Sequence, residues 1–274
     1  MPEPIASVWD KKGNSVLEKG RHFNGFDKIS HDIKAIKKMR ALYHGSIKFI
    51  DDEIKRITDF LKAENLFSNT IYVFTTDHGD MMGDHALITK GVKFFDKGIR
   101  IPLIISGAGI SGGKECSSLS CSLDLFPTFC AWAGAKSLPP LEGKSLAPIC
   151  LGKTQDTPWK EVTIEAPCYP AELVKAGAEN GVRGIVTADN WRFTIFDEDN
   201  TGEMFNLSKD PCEQNNLFYN PDYTEKKLFL FERLTRAFMQ AASVQQYRNL
   251  PAANGKKFII GPGIQNFNGE VYQR

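Results

Sequence analysis

The chain has 274 residues, 42% of them hydrophobic and 24% charged, with 34 Lys+Arg against 33 Asp+Glu and a formal net charge of +1. This composition excludes collagen-like, coiled-coil and disordered chains, and a chain of this length buries roughly 70–75% of its unfolded surface, enough for one or two cores. A near-zero net charge provides no basic field for nucleic acid or anionic lipid, and no apolar run approaches the ~20 residues that span a bilayer, so neither nucleic acid nor a membrane is expected as a partner. The opening Met-Pro-Glu-Pro-Ile-Ala has no basic n-region or apolar h-region. If Met1 is the true start, the expected location is the cytoplasm; otherwise location is open.

Residues 1–29 are polar and irregular and read as an entering loop. Ser30 predicts an N-cap with Asp32 in the first turn, and Ile33, Ile36, Tyr43, Ile47, Ile50, Ile54, Ile57 and Leu61 then lay one apolar stripe along a helix over 31–64. The runs at 71–76 (Ile-Tyr-Val-Phe-Thr-Thr) and 100–106 (Arg-Ile-Pro-Leu-Ile-Ile-Ser) predict strands buried on both faces, as in a parallel sheet. After Asp124-Leu-Phe-Pro-Thr128 a helix to about Ala133 ends at Gly134, and the Pro/Gly-rich stretch from Leu138 to Gly152 reads as a surface linker. Short strands follow at 162–165, 182–187, 191–196 and 203–207, separated by Asp/Asn/Gly turns as in an antiparallel meander. Asp222 with Glu225 opens a last helix carrying Leu228, Phe231, Leu234 and Phe238. The expected fold is α/β: a partial mixed or parallel sheet flanked by helices over 1–150, then a small antiparallel sheet with a packed helix and an irregular tail over 151–274.

The chemistry concentrates in Thr75-Thr-Asp77-His78-Gly79-Asp80-Met-Met-Gly83-Asp84-His85, which leads on to Lys90. Loops at the carboxyl ends of strands aim side chains into a shared crevice, and an Asp followed by a His offers an oxygen and a nitrogen to a metal ion. Neighbours on a strand point apart, so both meet one ion only if the chain turns, which Gly79 allows. Lys90, Lys93 or Lys97 could neutralise an oxyanion beside the ion. The bland alternative is a turn closed by an Asx hydrogen bond, with no ion at all.

Six cysteines, Cys116, Cys121, Cys130, Cys150, Cys168 and Cys212, form no C-x-x-C pair and read as reduced small hydrophobes. Asp51 and Asp52 read as polar positions on the long helix, His85 and Asp80 as loop-ordering groups, and Arg100 as a structural partner at the strand entrance.

The runs F-T-T-D-H-G-D-M-M-G-D-H-A-L-I-T-K-G, G-I-R-I-P-L-I-I-S and S-L-D-L-F-P-T resemble the type I sulfatase family of the alkaline phosphatase superfamily. So do Y-H-G-S-I-K-F-I-D-D-E-I-K-R-I upstream, and A-G-A-K-S-L-P-P-L-E-G-K-S-L-A-P and G-E-M-F-N-L-S-K-D-P downstream, all in family order across roughly residues 40–240. The resemblance implies that residues 1–150 are the later half of the α/β catalytic domain. It implies that Asp77 and His78 are ligands to one divalent cation (calcium, with magnesium or manganese as alternatives), and that Lys90 contacts the sulfate group. The implied reaction is hydrolysis of a small-molecule or saccharide sulfate monoester. A phosphonate or phosphate ester hydrolase of the same superfamily and a non-catalytic remnant are the other readings.

The sequence departs from the family at the nucleophile. The family forms a formylglycine from Cys or Ser in a C-x-P-S-R-type motif, and no cysteine here has that context. Cys168-Tyr-Pro170-Ala-Glu172 comes nearest, with Glu in place of Arg and on the wrong side of the metal pair. The early acidic ligands are missing too, which leaves His22, His31 and His44 without a matching context and points to a missing N-terminal segment or a separate chain. The expected consequences are weak metal affinity, unpaired sheet edges and exposed apolar surface.

Overall fold

The computed structural model describes residues 32–90, 94–135, 141–166, 181–196 and 201–248. Helix α1 is Ile33–Ala63, capped by Asp32, whose carboxylate accepts from the Lys34 and Ala35 N–H groups. That gives Asp32 the capping role expected of Ser30, which lies outside the described residues. Of the predicted stripe only Ile36 is buried; Ile47, Ile50 and Ile57 are about half exposed. The helical period is as read, but among the described residues nothing covers most of that face.

Strand β1 (Ile71–Thr75) pairs with β2 (Leu103–Gly107) in antiparallel register, Val73 opposite Ile105 and Phe74 opposite Ile104. The two apolar runs read as parallel strands buried on both faces are instead an antiparallel pair whose Phe74 and Ile104 face outward. Continuous apolarity reports a strand's burial in a finished sheet and not its direction, so direction was the part the pattern could not carry. The short helix α2 (Asp96–Ile99) precedes β2, and α3 (Leu125–Trp132) follows it.

Buried Asp124 organises the region after β2. Its carboxylate accepts from the Cys121 and Lys144 N–H groups and from Trp159 Nε1, and the Thr128 hydroxyl, itself bonded to Asp124 O, accepts from Leu146 N–H. The described part of the presumed linker, 141–152, is therefore pinned to α3 and carries a short helix, α4 (Ala147–Cys150), with Leu146 and Ala147 buried. Gly143 serves close packing there, since a Cβ on it would lie 1.9 Å from Leu123 O.

Strands β3 (Glu161–Ala166), β4 (Val182–Thr187), β5 (Trp191–Phe196) and β6 (Gly202–Asn206) form an antiparallel sheet in sequence order, as the meander reading expects. Both faces are covered. Alternate side chains go to opposite sides, so Ile185, Trp191, Phe193 and Met204 pack with Leu217, Phe218, Leu230 and Leu234, while Val186 and Phe205 pack with Met81, Leu87, Phe95 and Leu207. Helix α5 (Thr224–Arg248) thus closes one face, and the loop after β1 closes the other. The turn before α5 is capped by Asn220, which accepts from Asp222 N–H, in place of the expected Asp222–Glu225 box. The buried stripe of α5 is also displaced from the expected one, with Leu230 and Leu234 inside and Leu228 64% exposed. No described helix is long and apolar enough to cross a membrane.

This packing separates two leucines on one helix. Leu230→Ala should cost about 2–5 kcal/mol in urea unfolding, and Leu228→Ala no more than about 0.5 kcal/mol. Equal losses would show that the wrong face of α5 is inside.

Candidate functional site

The segment from Asp77 to Gly98 is a loop tied across its base, with Gly79 N–H donating to Gly98 O at 2.9 Å. Gly79 is needed there because a Cβ would lie 2.0 Å from Lys97 O. Further along, Met82 N–H bonds Ile88 O at 2.8 Å and Gly83 N–H bonds Leu87 O at 2.7 Å, folding the loop back on itself.

Two surfaces hold the loop. From α1, Arg40 donates through Nε to Met82 O at 2.8 Å and pairs with buried Asp84 at 2.6 Å. Gly83, at φ +98°, sits against Ile36, where a Cβ would come within 2.6 Å of that side chain. From the C-terminal sheet, Arg192 of β5 is fully buried and pairs with Glu203 at 2.9 Å and with Glu213. Its guanidinium lies over the Phe95 and Phe205 rings, 5.2 and 4.7 Å from their centroids, and Glu213 Oε2 accepts from Asp96 N–H at 2.7 Å. Burial pulls the guanidinium pKa down, but the two carboxylates outweigh it and hold Arg192 firmly cationic. His85, buried and in a left-handed conformation, stacks on Phe95 with centroids 3.9 Å apart.

The opposite side of the loop carries Asp77 and His78. Their side chains come together, with His78 Nε2 3.4 Å from Asp77 Oδ2. His78 Nδ1 lies 2.9 Å from Gly79 O. A carbonyl only accepts, so this contact is a hydrogen bond when Nδ1 carries a proton, and the neutral ring of that form has its lone pair on Nε2, toward Asp77. Asp77 Oδ1 accepts from His78 N–H at 3.0 Å and from the Thr76 hydroxyl at 3.2 Å, so a local turn does exist, but it occupies only one of the two oxygens. Partial desolvation raises the Asp77 carboxyl pKa, yet the N–H groups of Asp77 and His78, the imidazole and the Thr76 hydroxyl bring it below the ordinary value. The carboxylate is largely exposed and His78 partly so.

Lys90 is exposed on the same loop, and among the described residues no ion pair joins its ammonium to Asp77. The structure thus brings the Asp-His pair together and leaves Lys90 facing solvent. Lys93 lies outside the described residues, and Lys97 contributes its backbone to the loop base. His85 orders the loop as expected, and Arg100 pairs with Asp96 at 2.8 Å. Asp51 and Asp52 are exposed on α1 beside Lys48. His44 is exposed on α1, and His22 and His31 lie outside the described residues. Among the described residues no group of three or more His, Cys, Asp or Glu could hold a metal.

No described cysteine is placed as a nucleophile. Cys116, Cys121, Cys130, Cys150 and Cys212 are unpaired thiols, and burial together with Asp124 pushes the Cys121 thiol up to about 11, further from the reactive thiolate. Cys168 lies outside the described residues.

Arg40, Asp84, Arg192, Glu203 and Glu213 were not singled out by sequence reasoning. A signal existed for two of them. Arg192 and Glu203 stand among apolar residues in W-R-F-T-I-F and G-E-M-F-N-L at alternation positions that face inward, and opposite charges on neighbouring strands invite a buried pair. Glu213, in a turn, completes it.

Residues 10–135 match the family model described as Sulfatase, and residues 83–240 match the one described as N-sulphoglucosamine sulphohydrolase, C-terminal. The chain is 30% identical over 230 residues to an arylsulfatase of Clostridium perfringens, covering 82% of this chain and 45% of that protein. Among solved structures it is similar to a 2-O GAG sulfatase (TM-score 0.73, 25% identity, 89% of this chain and 54% of that one). It is also similar to a phosphonate monoester hydrolase of Agrobacterium radiobacter (TM-score 0.68, 26% identity, 81% and 45%). The chain therefore spans about half the length of the proteins it matches.

Burial holds the His85 imidazole pKa below the ordinary histidine value, against the opposing pull of Asp84 and Glu203. The unfolded chain then takes up that proton first on acidification, so the stability linked to His85 is present above the ordinary histidine pKa and lost as pH falls through the folded one. Urea stability should decline as pH falls below the ordinary histidine pKa of about 6.5, and His85→Gln should flatten that decline. An unchanged slope in the variant would place the titration elsewhere.

Proposed function

Because the chain belongs to the sulfatase family of the alkaline phosphatase superfamily, we propose that it supplies one divalent cation site with Asp77 and His78 and the substrate's sulfate group with Lys90. The whole protein in this reading hydrolyses sulfate monoesters, a saccharide sulfate being the class favoured by its similarity to a 2-O GAG sulfatase. The observation that carries the reading is the pair itself. A carboxylate oxygen and an imidazole nitrogen face each other at 3.4 Å, two groups that both serve as metal donors when Nε2 carries no proton. A cation seated between them satisfies both; the family resemblance favours calcium, with magnesium or manganese as alternatives, and of these manganese best tolerates the imidazole nitrogen beside the carboxylate.

When bound, such an ion polarises the ester oxygens and stabilises charge that builds on them. The chain's own residues do the rest of what is assigned here. Asp77 would supply an anionic oxygen, and the Gly79 carbonyl, holding the Nδ1 side of the His78 ring, would leave Nε2 available to an ion. Lys90 brings a mobile positive charge toward the leaving oxygen. Two donors are far fewer than the about six a hard cation takes, so further ligands and the nucleophile come, in this reading, from an additional segment or a separate chain. The half-exposed stripe of α1 and the outward Phe74 and Ile104 support further polypeptide covering those faces.

A second reading, hydrolysis of phosphonate monoesters, has its support in the similarity to the Agrobacterium enzyme, since an Asp-His pair serves either tetrahedral group. Turnover of an aryl sulfate against an aryl phosphonate by the completed protein separates the two. In that protein Asp77→Ala should abolish metal binding and activity together. Lys90→Ala should keep the metal and lose turnover worth about 3 kcal/mol, on the order of 10²-fold. Unchanged turnover in the lysine variant would remove Lys90 from the reaction.

A further inference from the structure

A continuous chain of contacts runs from the buried charges of the C-terminal sheet to the ring of His78. Arg192 pairs with Glu213, and Glu213 Oε2 accepts from Asp96 N–H at 2.7 Å. Phe95, next in line, lies under the Arg192 guanidinium and packs near Phe205, and its carbonyl accepts from Gly98 N–H at 2.8 Å. Gly98 O then accepts from Gly79 N–H at 2.9 Å, and the carbonyl of the same Gly79 lies 2.9 Å from His78 Nδ1. The links are consecutive in space, and the last of them, the carbonyl of Gly79, is an acceptor that favours a proton on the imidazole nitrogen facing it.

We propose that Glu213, held by Arg192, is a positioning residue for His78. Through Asp96, Phe95, Gly98 and Gly79 it holds the imidazole in the Nδ1–H form with Nε2 directed at Asp77. Neither Glu213 nor Arg192 touches the Asp77–His78 pair, and the sheet that carries Arg192 contributes no candidate ligand. Its contribution is orientation, delivered across the loop base. Partners of this kind behind a ligating histidine typically govern metal affinity by 10–100-fold. The proposal deepens the metal reading above and rests on it for one of its two readouts only.

The test uses the full 274-residue chain with ¹⁵N-labelled histidine at about pH 8, where imidazole is neutral. The wild-type His78 ring should show a protonated Nδ1 and an unprotonated Nε2. Glu213→Ala and Phe95→Leu should each shift it toward the Nε2–H form that an unconstrained imidazole prefers, while Glu213→Gln, which keeps an acceptor for Asp96 N–H, should restore the wild-type signature. Manganese affinity, read by electron paramagnetic resonance, should fall roughly tenfold or more in the first two variants. Protected amides in β4 and β5 report that each variant is folded. Should Glu213→Ala fail to fold, Glu213→Asp, which keeps a carboxylate for Arg192 but draws the acceptor back from Asp96 N–H, gives the answer in its place, with the same expected shift of the ring signature. An unchanged ring signature in the folded variants overturns the proposal. A wild type that shows the Nδ1–H ring yet binds no manganese would instead overturn the metal reading and leave the positioning chain standing.

Discussion

One backbone hydrogen bond, Gly79 N–H to Gly98 O, closes the loop on which the whole site depends, and two arginines keep it closed. Arg40 grips it from α1 through Met82 O and Asp84, and Arg192 grips it from the sheet through Phe95 and Glu213. With one side of the loop sunk between these surfaces, Met81, Leu87 and Phe95 are buried and Asp77, His78 and Lys90 remain toward solvent. Gly79, whose N–H closes the loop, also presents its carbonyl to the His78 ring, so the loop closure and the imidazole contact meet at one residue.

The Arg192 cluster also shows what the sheet is for. A fully buried guanidinium between Glu203 and Glu213 is expensive to desolvate, and similar clusters replaced by apolar residues often leave a protein no less stable. Its return here lies in direction. An apolar patch would hold the loop but tolerate sliding, whereas Glu213 accepts from one particular amide, Asp96 N–H. Burial raises the Glu213 carboxyl pKa and Arg192 opposes that rise, so the carboxylate owes its acceptor role to the guanidinium beside it.

Much of this was legible in the sequence, and for definable reasons. The strands at 182–187 and 191–196 appear with the expected bounds because alternation and turn residues are local signals. Helix α1 declared itself by its period, and the Asp-His pair by its place after an apolar strand and before a glycine. What stayed hidden was long-range. The bond from Asp96 N–H to Glu213 spans 117 residues and the Arg40–Asp84 pair spans 44, separations at which no periodicity operates. The antiparallel sense of β1 and β2 was hidden too, because an apolar run carries no arrow. So was the role of Asp124, which resembled a family motif and proved to be a hub for Cys121, Lys144 and Trp159.

The most direct measurement is a crystal grown with millimolar manganese and an anomalous map collected near the metal's absorption edge. The account predicts a peak between Asp77 Oδ2 and His78 Nε2, about 2.0–2.6 Å from each, with Nδ1 still against Gly79 O. A map empty at that point, with Nε2 donating its proton straight to the Asp77 carboxylate, would contradict it.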